Sequence, residues 1–227
     1  IVDENYTALT YYKNNWYYFD NGSINWNYSN PIYYNNAWYY IDHGYINWKF
    51  TDLVLYNGTW YYVVNGMIDF NYTGLVYHGG GWFYVSKGKV DWNHSGLIYY
   101  NNVWYYVDHG YINWNYSNPI YYNNTWYYID HGYINWKFTD LVLYNGTWYY
   151  VVNGVIDFNY TGLVYHGGGW FYVSKGKVDW NHSGLIYYNN EWFYIDHGYI
   201  NWDYCNLTYY NNNWYYVNHG KIYWDYS

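Results

Sequence analysis

The chain has 227 residues, of which 31% are Phe, Trp or Tyr and only 11% are charged, far from the average composition of a globular domain. Eight lysines, no arginine and 16 acids leave a formal net charge of −8, which argues against nucleic acid and against an anionic membrane surface, because both are gripped by dense Lys and Arg. No apolar run approaches the roughly 20 residues that span a bilayer, so no membrane insertion is expected, and a single cysteine, Cys205, rules out an intrachain disulfide framework.

In chain order, residues 1–7 (IVDENYT) align with the end of a repeat such as GKVDWNHS, so the chain is read as opening inside a truncated repeat. From Ala8 to Ser227 it keeps a 22-residue register without insertion or deletion, giving ten tandem repeats over 8–227. Trp fills position 9 of every repeat, from Trp16 to Trp214, and Gly follows six residues later, from Gly22 to Gly220. Residues 30–117 match residues 118–205 at 81 of 88 positions, so a four-repeat block has been duplicated.

Within a repeat such as DLVLYNGTWYYVVNGMIDFNYT (52–73), two Asn-Gly turns separate β-branched and aromatic runs, the pattern of a small β meander. Strand alternation places Trp60 with Tyr62, and Ile68 with Phe70, toward a neighbour, and turns Met67 and Asp69 outward. One hairpin alone is marginal in water, so each must bury its aromatic face against the next. The expected fold is all-β: an elongated β-hairpin solenoid of ten 22-residue repeats.

The pattern xWYYVxxGxIxW, present as NWYYFDNGSINW, TWYYVVNGMIDF and GWFYVSKGKVDW, resembles the bacterial choline-binding and glucan-binding cell-wall repeats, and does so in all ten units. The resemblance implies hairpins stacked in a left-handed superhelix, with ligands in aromatic cages between successive hairpins. It also implies a secreted or surface protein of a Gram-positive bacterium. The Gly-Trp that usually opens a family repeat is replaced here, as at Gly74-Leu75, Asp52-Leu53 and Asn30-Pro31, which removes part of the usual choline cage. The ring at position 19, Trp26 through Trp224 with Phe70 and Phe158 as variants, is the candidate substitute wall.

The candidate ligand-binding residues are the position-9 tryptophans and the aromatics after them: Trp38, Tyr39, Trp60, Tyr61, Trp82, Trp104, Tyr105, Trp126, Tyr127, Trp148, Trp170 and Trp192. Tyr34, Tyr100 and Tyr122 at position 5 join them, read as facing outward. Such rings stack on sugar faces and hold quaternary ammonium groups by cation–π attraction, although the Trp itself is read first as inter-repeat packing.

No catalytic residue, metal or cofactor is expected. His43, His109, His131, His197 and His219 sit in turns, and no four-ligand zinc set accompanies them. Asp69, Asp91, Asp157 and Asp179 occupy equivalent positions, whereas a catalytic pair needs two environments that separate the pKa values. Cys205 replaces the Ser or Thr that ends most repeats and reads as a neutral change.

The functional expectation is a non-catalytic repeat module, extracellular or attached to the cell surface, that binds a glycan or cell-wall polymer multivalently through aromatic grooves. The alternatives are an adhesin whose four-repeat block recognises a host protein such as immunoglobulin, and a structural spacer.

Overall fold

The computed structural model describes residues 5–224, so residues 1–4 of the opening tail lie outside the described residues. Among the described residues every regular element is a strand, three to each repeat. The chain divides into two compact units, Ile1–Trp114 and Asn115–Ser227, and within each the all-β, repeated-hairpin expectation holds.

Repeat 3 shows the local logic. Strands Asp52–Tyr56 and Thr59–Val64 pair antiparallel, with Leu55 opposite Trp60, and the second strand then pairs with the short Met67–Ile68 through Val63 and Ile68. Both connections have two central residues at positive φ, Asn57 at 46° with Gly58 at 76° and Asn65 at 48° with Gly66 at 74°. These are mirror-image turns whose twist matches that of the flanking strands. Asn tolerates this region better than most residues, so Asn35-Asn36 can serve the first turn with φ of 46° and 63°.

The second turn cannot dispense with Gly, because it packs on the preceding repeat. A Cβ on Gly88 would lie 2.5 Å from the Asp69 carbonyl oxygen, whereas one on Gly58 would meet nothing within 4 Å. The close approach lets Tyr62 N–H donate to the Gly88 carbonyl (2.9 Å) and Gly88 N–H donate to the Tyr72 carbonyl (2.9 Å). Position 22 adds a third link, since Lys87 N–H donates to Thr73 Oγ1 at 3.1 Å. Tyr6 and Thr7 make the same contacts on repeat 1, accepting from Gly22 N–H (2.9 Å) and Asn21 N–H (3.3 Å).

Cys205 therefore stands at a working position. His219 N–H points at Cys205 Sγ, 3.3 Å away, and sulfur is a weak acceptor. The substitution Cys205→Ser, which supplies the hydroxyl found at Ser95 and Ser183, is expected to stabilise the last repeat by about 0.5–1 kcal/mol, read as slower amide exchange at His219.

The core lies between repeats. Because the second strand alternates, its even positions face the preceding repeat and its odd positions the following one. Val76, Val85 and Val90 of repeat 4 thus close on Leu53, Trp60, Tyr62 and Tyr72 of repeat 3, and Val164, Val173 and Val178 repeat the arrangement on Leu141, Trp148, Tyr150 and Tyr160. Val63, Val85, Val107, Val151 and Val173 are fully buried, each contributing about 1.5–3 kcal/mol. One alternation fails: the third strand ends at Ile68, so Phe70 leaves the pleat and is 41% exposed.

Candidate functional site: aromatic boxes between neighbouring repeats

The position-9 Trp is held by cross-strand pairing opposite position 4 of its own hairpin, as with Tyr121 and Trp126 (ring centroids 5.4 Å apart). On the same face it meets the position-5 ring of the next repeat, Tyr144, at 5.7 Å. That next repeat adds a perpendicular pair, Tyr149 and Phe158, at 6.2 Å and 83°. Trp126, Tyr144, Tyr149 and Phe158, with Ile156, line a cavity of about 190 Å³. A cavity of about 270 Å³ has the same plan in Trp170, Tyr188, Phe193, Ile200 and Trp202.

An ammonium already stands at these boxes. Lys177 lines the first and Lys221 the second, with Nζ 5.4 Å from the Tyr149 ring centre and 5.1 Å from that of Phe193. Lys89 stands likewise over Tyr61 at 5.4 Å. Across the same rings, Trp126 and Phe158 also line a shallower depression of about 440 Å³ with Asp157, matched by Trp38, Phe70 and Asp69 around about 430 Å³.

The structure places the sequence candidates at these junctions. Trp38, Trp60, Trp82, Trp126, Trp148, Trp170 and Trp192 are half-buried against the following repeat, within 4.9–6.3 Å of its position-5 ring. Trp104 is half-buried beside Tyr99, at 5.1 Å. Tyr39, Tyr61, Tyr105 and Tyr127 stand edge-on to the position-19 ring of their own repeat at 5.9–6.3 Å. The Trp thus both packs the junction and walls the box.

The position-5 rings do not face outward. Tyr34 turns back onto Trp16 (5.4 Å) and Tyr100 onto Trp82 (5.7 Å), and Tyr122 is half-buried. Alternation of the first strand puts positions 3 and 5 on the face toward the preceding repeat. The outermost ring is instead at position 4, as in Tyr33 and Tyr99, each 56% exposed. Sequence reading missed the lysine at position 16, which only the bridges between repeats bring opposite position 10: Tyr61 with Lys89 and Tyr149 with Lys177.

Other polar groups serve the backbone. Asp69 and Asp157 Oδ1 accept the Asn71 and Asn159 amides at 2.9 Å. His43 and His131 extend into solvent with Nδ1 2.6 Å from the adjacent Asp carboxylate. The Asn47 amide, with His43, holds Asp42 below the usual carboxylate range against the opposing effect of burial, and Asn135 does the same for Asp130. Among the described residues no group of three or more His, Cys, Asp or Glu is placed to hold a metal, and no helix is long and apolar enough to cross a membrane.

Burial at the junctions pushes the Tyr72 phenol up to about 12, with nearby Tyr100 adding, and raises Tyr62, Tyr150 and Tyr160 by the same cause. A tyrosine that resists ionisation when folded stabilises the fold fully below its unfolded value near 10. That contribution is lost as pH rises toward 12. Alkaline unfolding is expected between those values, with a cooperative second step of tyrosinate absorbance, beyond that of the exposed tyrosines, coinciding with loss of β circular dichroism; ionisation of all the tyrosines with β circular dichroism retained would refute it.

The sequence pattern of the choline-binding repeat matches residues 49–69, 71–91, 95–113, 137–157, 159–179 and 203–222, more than half of the chain. The chain belongs to the choline-binding repeat family. Its departure at position 2 has a structural counterpart: Leu53, Leu75 and Leu163 are buried in the inter-repeat core, while Phe158 and Trp202 at position 19 wall the boxes.

Among solved structures, the chain is similar to choline binding protein F from Streptococcus pneumoniae, crystal form II, at 17% identity and a TM-score of 0.35, covering 96% of this chain and 93% of that one. It is also similar to the same protein in the presence of a peptidoglycan analogue (21%, 0.33, 85% and 71%). The autolysin LytC from Streptococcus pneumoniae is a third (16%, 0.23, 88% and 54%). Among curated proteins none matches this chain.

Proposed function

We propose that this is a non-catalytic, extracellular or surface-attached module that binds a bacterial cell-wall polymer by taking cationic groups of the polymer, of quaternary ammonium type, into the aromatic boxes. The observation that carries this reading is a four-ring box with an ammonium held over one ring, in Trp126, Tyr144, Tyr149, Phe158 and Lys177. Ring faces attract cations electrostatically, and a partly desolvated box strengthens that attraction. Membership of the choline-binding repeat family supports the same chemistry.

Each box alone is weak, and strength comes from repetition. Several sites engaging one polymer raise avidity by about 10²–10⁴ without new contacts at any of them. With no cluster of lysines to release counterions, binding should depend weakly on salt.

The test is co-sedimentation of the whole chain with purified Gram-positive cell walls. Retention that tetramethylammonium or choline releases and a neutral saccharide does not is the expected result. Release by the saccharide alone would point to glycan as the ligand. Capture of serum immunoglobulin with no retention on walls would support the adhesin instead.

A further inference from the structure

The boxes are not equivalent, and the difference lies in one residue of the repeat after the box. Position 16 forms a single antiparallel bridge with position 10 of the repeat before it, so its side chain lies beside that ring. The residue there is Lys89, Lys177 or Lys221 in three repeats, but Met67 opposite Tyr39, Tyr111 opposite Phe83 and Tyr199 opposite Phe171 in others. Only the lysines carry a charge to the ring face, at 5.1–5.4 Å.

Resting on the cation-binding reading above, we infer that Lys89, Lys177 and Lys221 are internal occupants that close their boxes to an outside cation, so that ligand is taken by the lysine-free junctions. The ammonium is supplied from the adjoining strand, and a tethered group competes at an effective concentration of order mM. That is enough to weaken a site whose own affinity for a small cation lies in the same range. Lys221 is anchored further by Glu191, which lines the same cavity and accepts its ammonium at 2.6 Å. Glu191 is one of the seven differences between the duplicated blocks, standing where the first block has Val103.

The arrangement sets specificity by position. Junctions ending in Met or Tyr at position 16 keep their rings and lack the competitor. The rings Trp16 with Tyr34 and Tyr39 with Trp48, facing Met67, form one such set. Those of Trp148 with His166 and Phe171 with Trp180, facing Tyr199, form another.

The experiment is calorimetric titration of the full chain with tetramethylammonium. It compares the wild type with K89V/K177V/K221V, which introduces the residue native at Val155, and with M67K, which adds a lysine to a box that has none. Lys89 and Lys177 are exposed, and circular dichroism checks that the variants remain folded. The inference expects the triple variant to gain three sites, each about tenfold tighter than any residual binding there in the wild type, and M67K to lose one. Equal stoichiometry and affinity in all three proteins would overturn the inference and leave the cation reading standing. No binding by any of them would overturn both.

Discussion

Replacing Gly88 with alanine is expected to cost about 3 kcal/mol or more, while Gly58→Asn costs about 1 kcal/mol or less, although both glycines sit in turns of the same kind. Two penalties add at Gly88. Its φ of 74° disfavours any Cβ by roughly 1–2 kcal/mol, and the new carbon would fall 2.5 Å from the Asp69 oxygen and 2.8 Å from Phe70 Cα. Backbone cannot yield as a flexible side chain does, so relief of the clash must separate repeats 3 and 4 and strain the Tyr62 and Tyr72 hydrogen bonds, an overpacking cost of about 1–3 kcal/mol. Gly58 has a similar φ of 76° but open space around it. Urea midpoints of the two variants check this; equal shifts would show that turn conformation, and not inter-repeat contact, makes the second glycine invariant.

The second large effect separates packing from binding. Trp148→Ala is expected to lose about 3 kcal/mol of stability, since Trp148 packs on the cluster of Leu141, Val164, Val173 and Val178 and on His166 at 4.9 Å. It should abolish cation binding at that junction as well. Trp180→Leu removes a ring that is 43% exposed and touches Phe171 edge-on at 5.8 Å, so stability should change by about 1 kcal/mol or less while the box loses a wall. A Trp180→Leu protein with unaltered stoichiometry for tetramethylammonium would remove position 19 from the site.

The repeat and its strands could be read from sequence because each rests on local rules. Asn-Gly pairs force mirror-image turns, alternation assigns Trp60 and Tyr62 to one face, and the hairpin is too small to stand alone. What escaped the sequence depends on which repeat a side chain meets. Position 5 faces outward when a hairpin is considered by itself; the Trp of the preceding repeat covers it only when repeats stack. The Ser or Thr at position 22 looked interchangeable with Cys205 until its hydroxyl was seen accepting the amide 14 residues on, as His197 N–H does with Ser183 Oγ at 3.0 Å. Lys177 carries no signal in the sequence, because nothing local ties position 16 to the ring 28 residues earlier. The leucine at position 2 reads in sequence as the loss of a cage wall, whereas the buried contact it makes in the junction core appears only when repeats stack.

The most direct measurement follows the indole N–H resonances of the whole chain by NMR while tetramethylammonium is added. Binding in lysine-free boxes predicts saturable shifts at Trp148 and Trp180, and little change at Trp214 and Trp224, which are the most exposed tryptophans at 66% each. Shifts that scale with exposure, largest at Trp214 and Trp224 and without saturation, would show that the cation merely adheres to open rings and would contradict a built site between repeats.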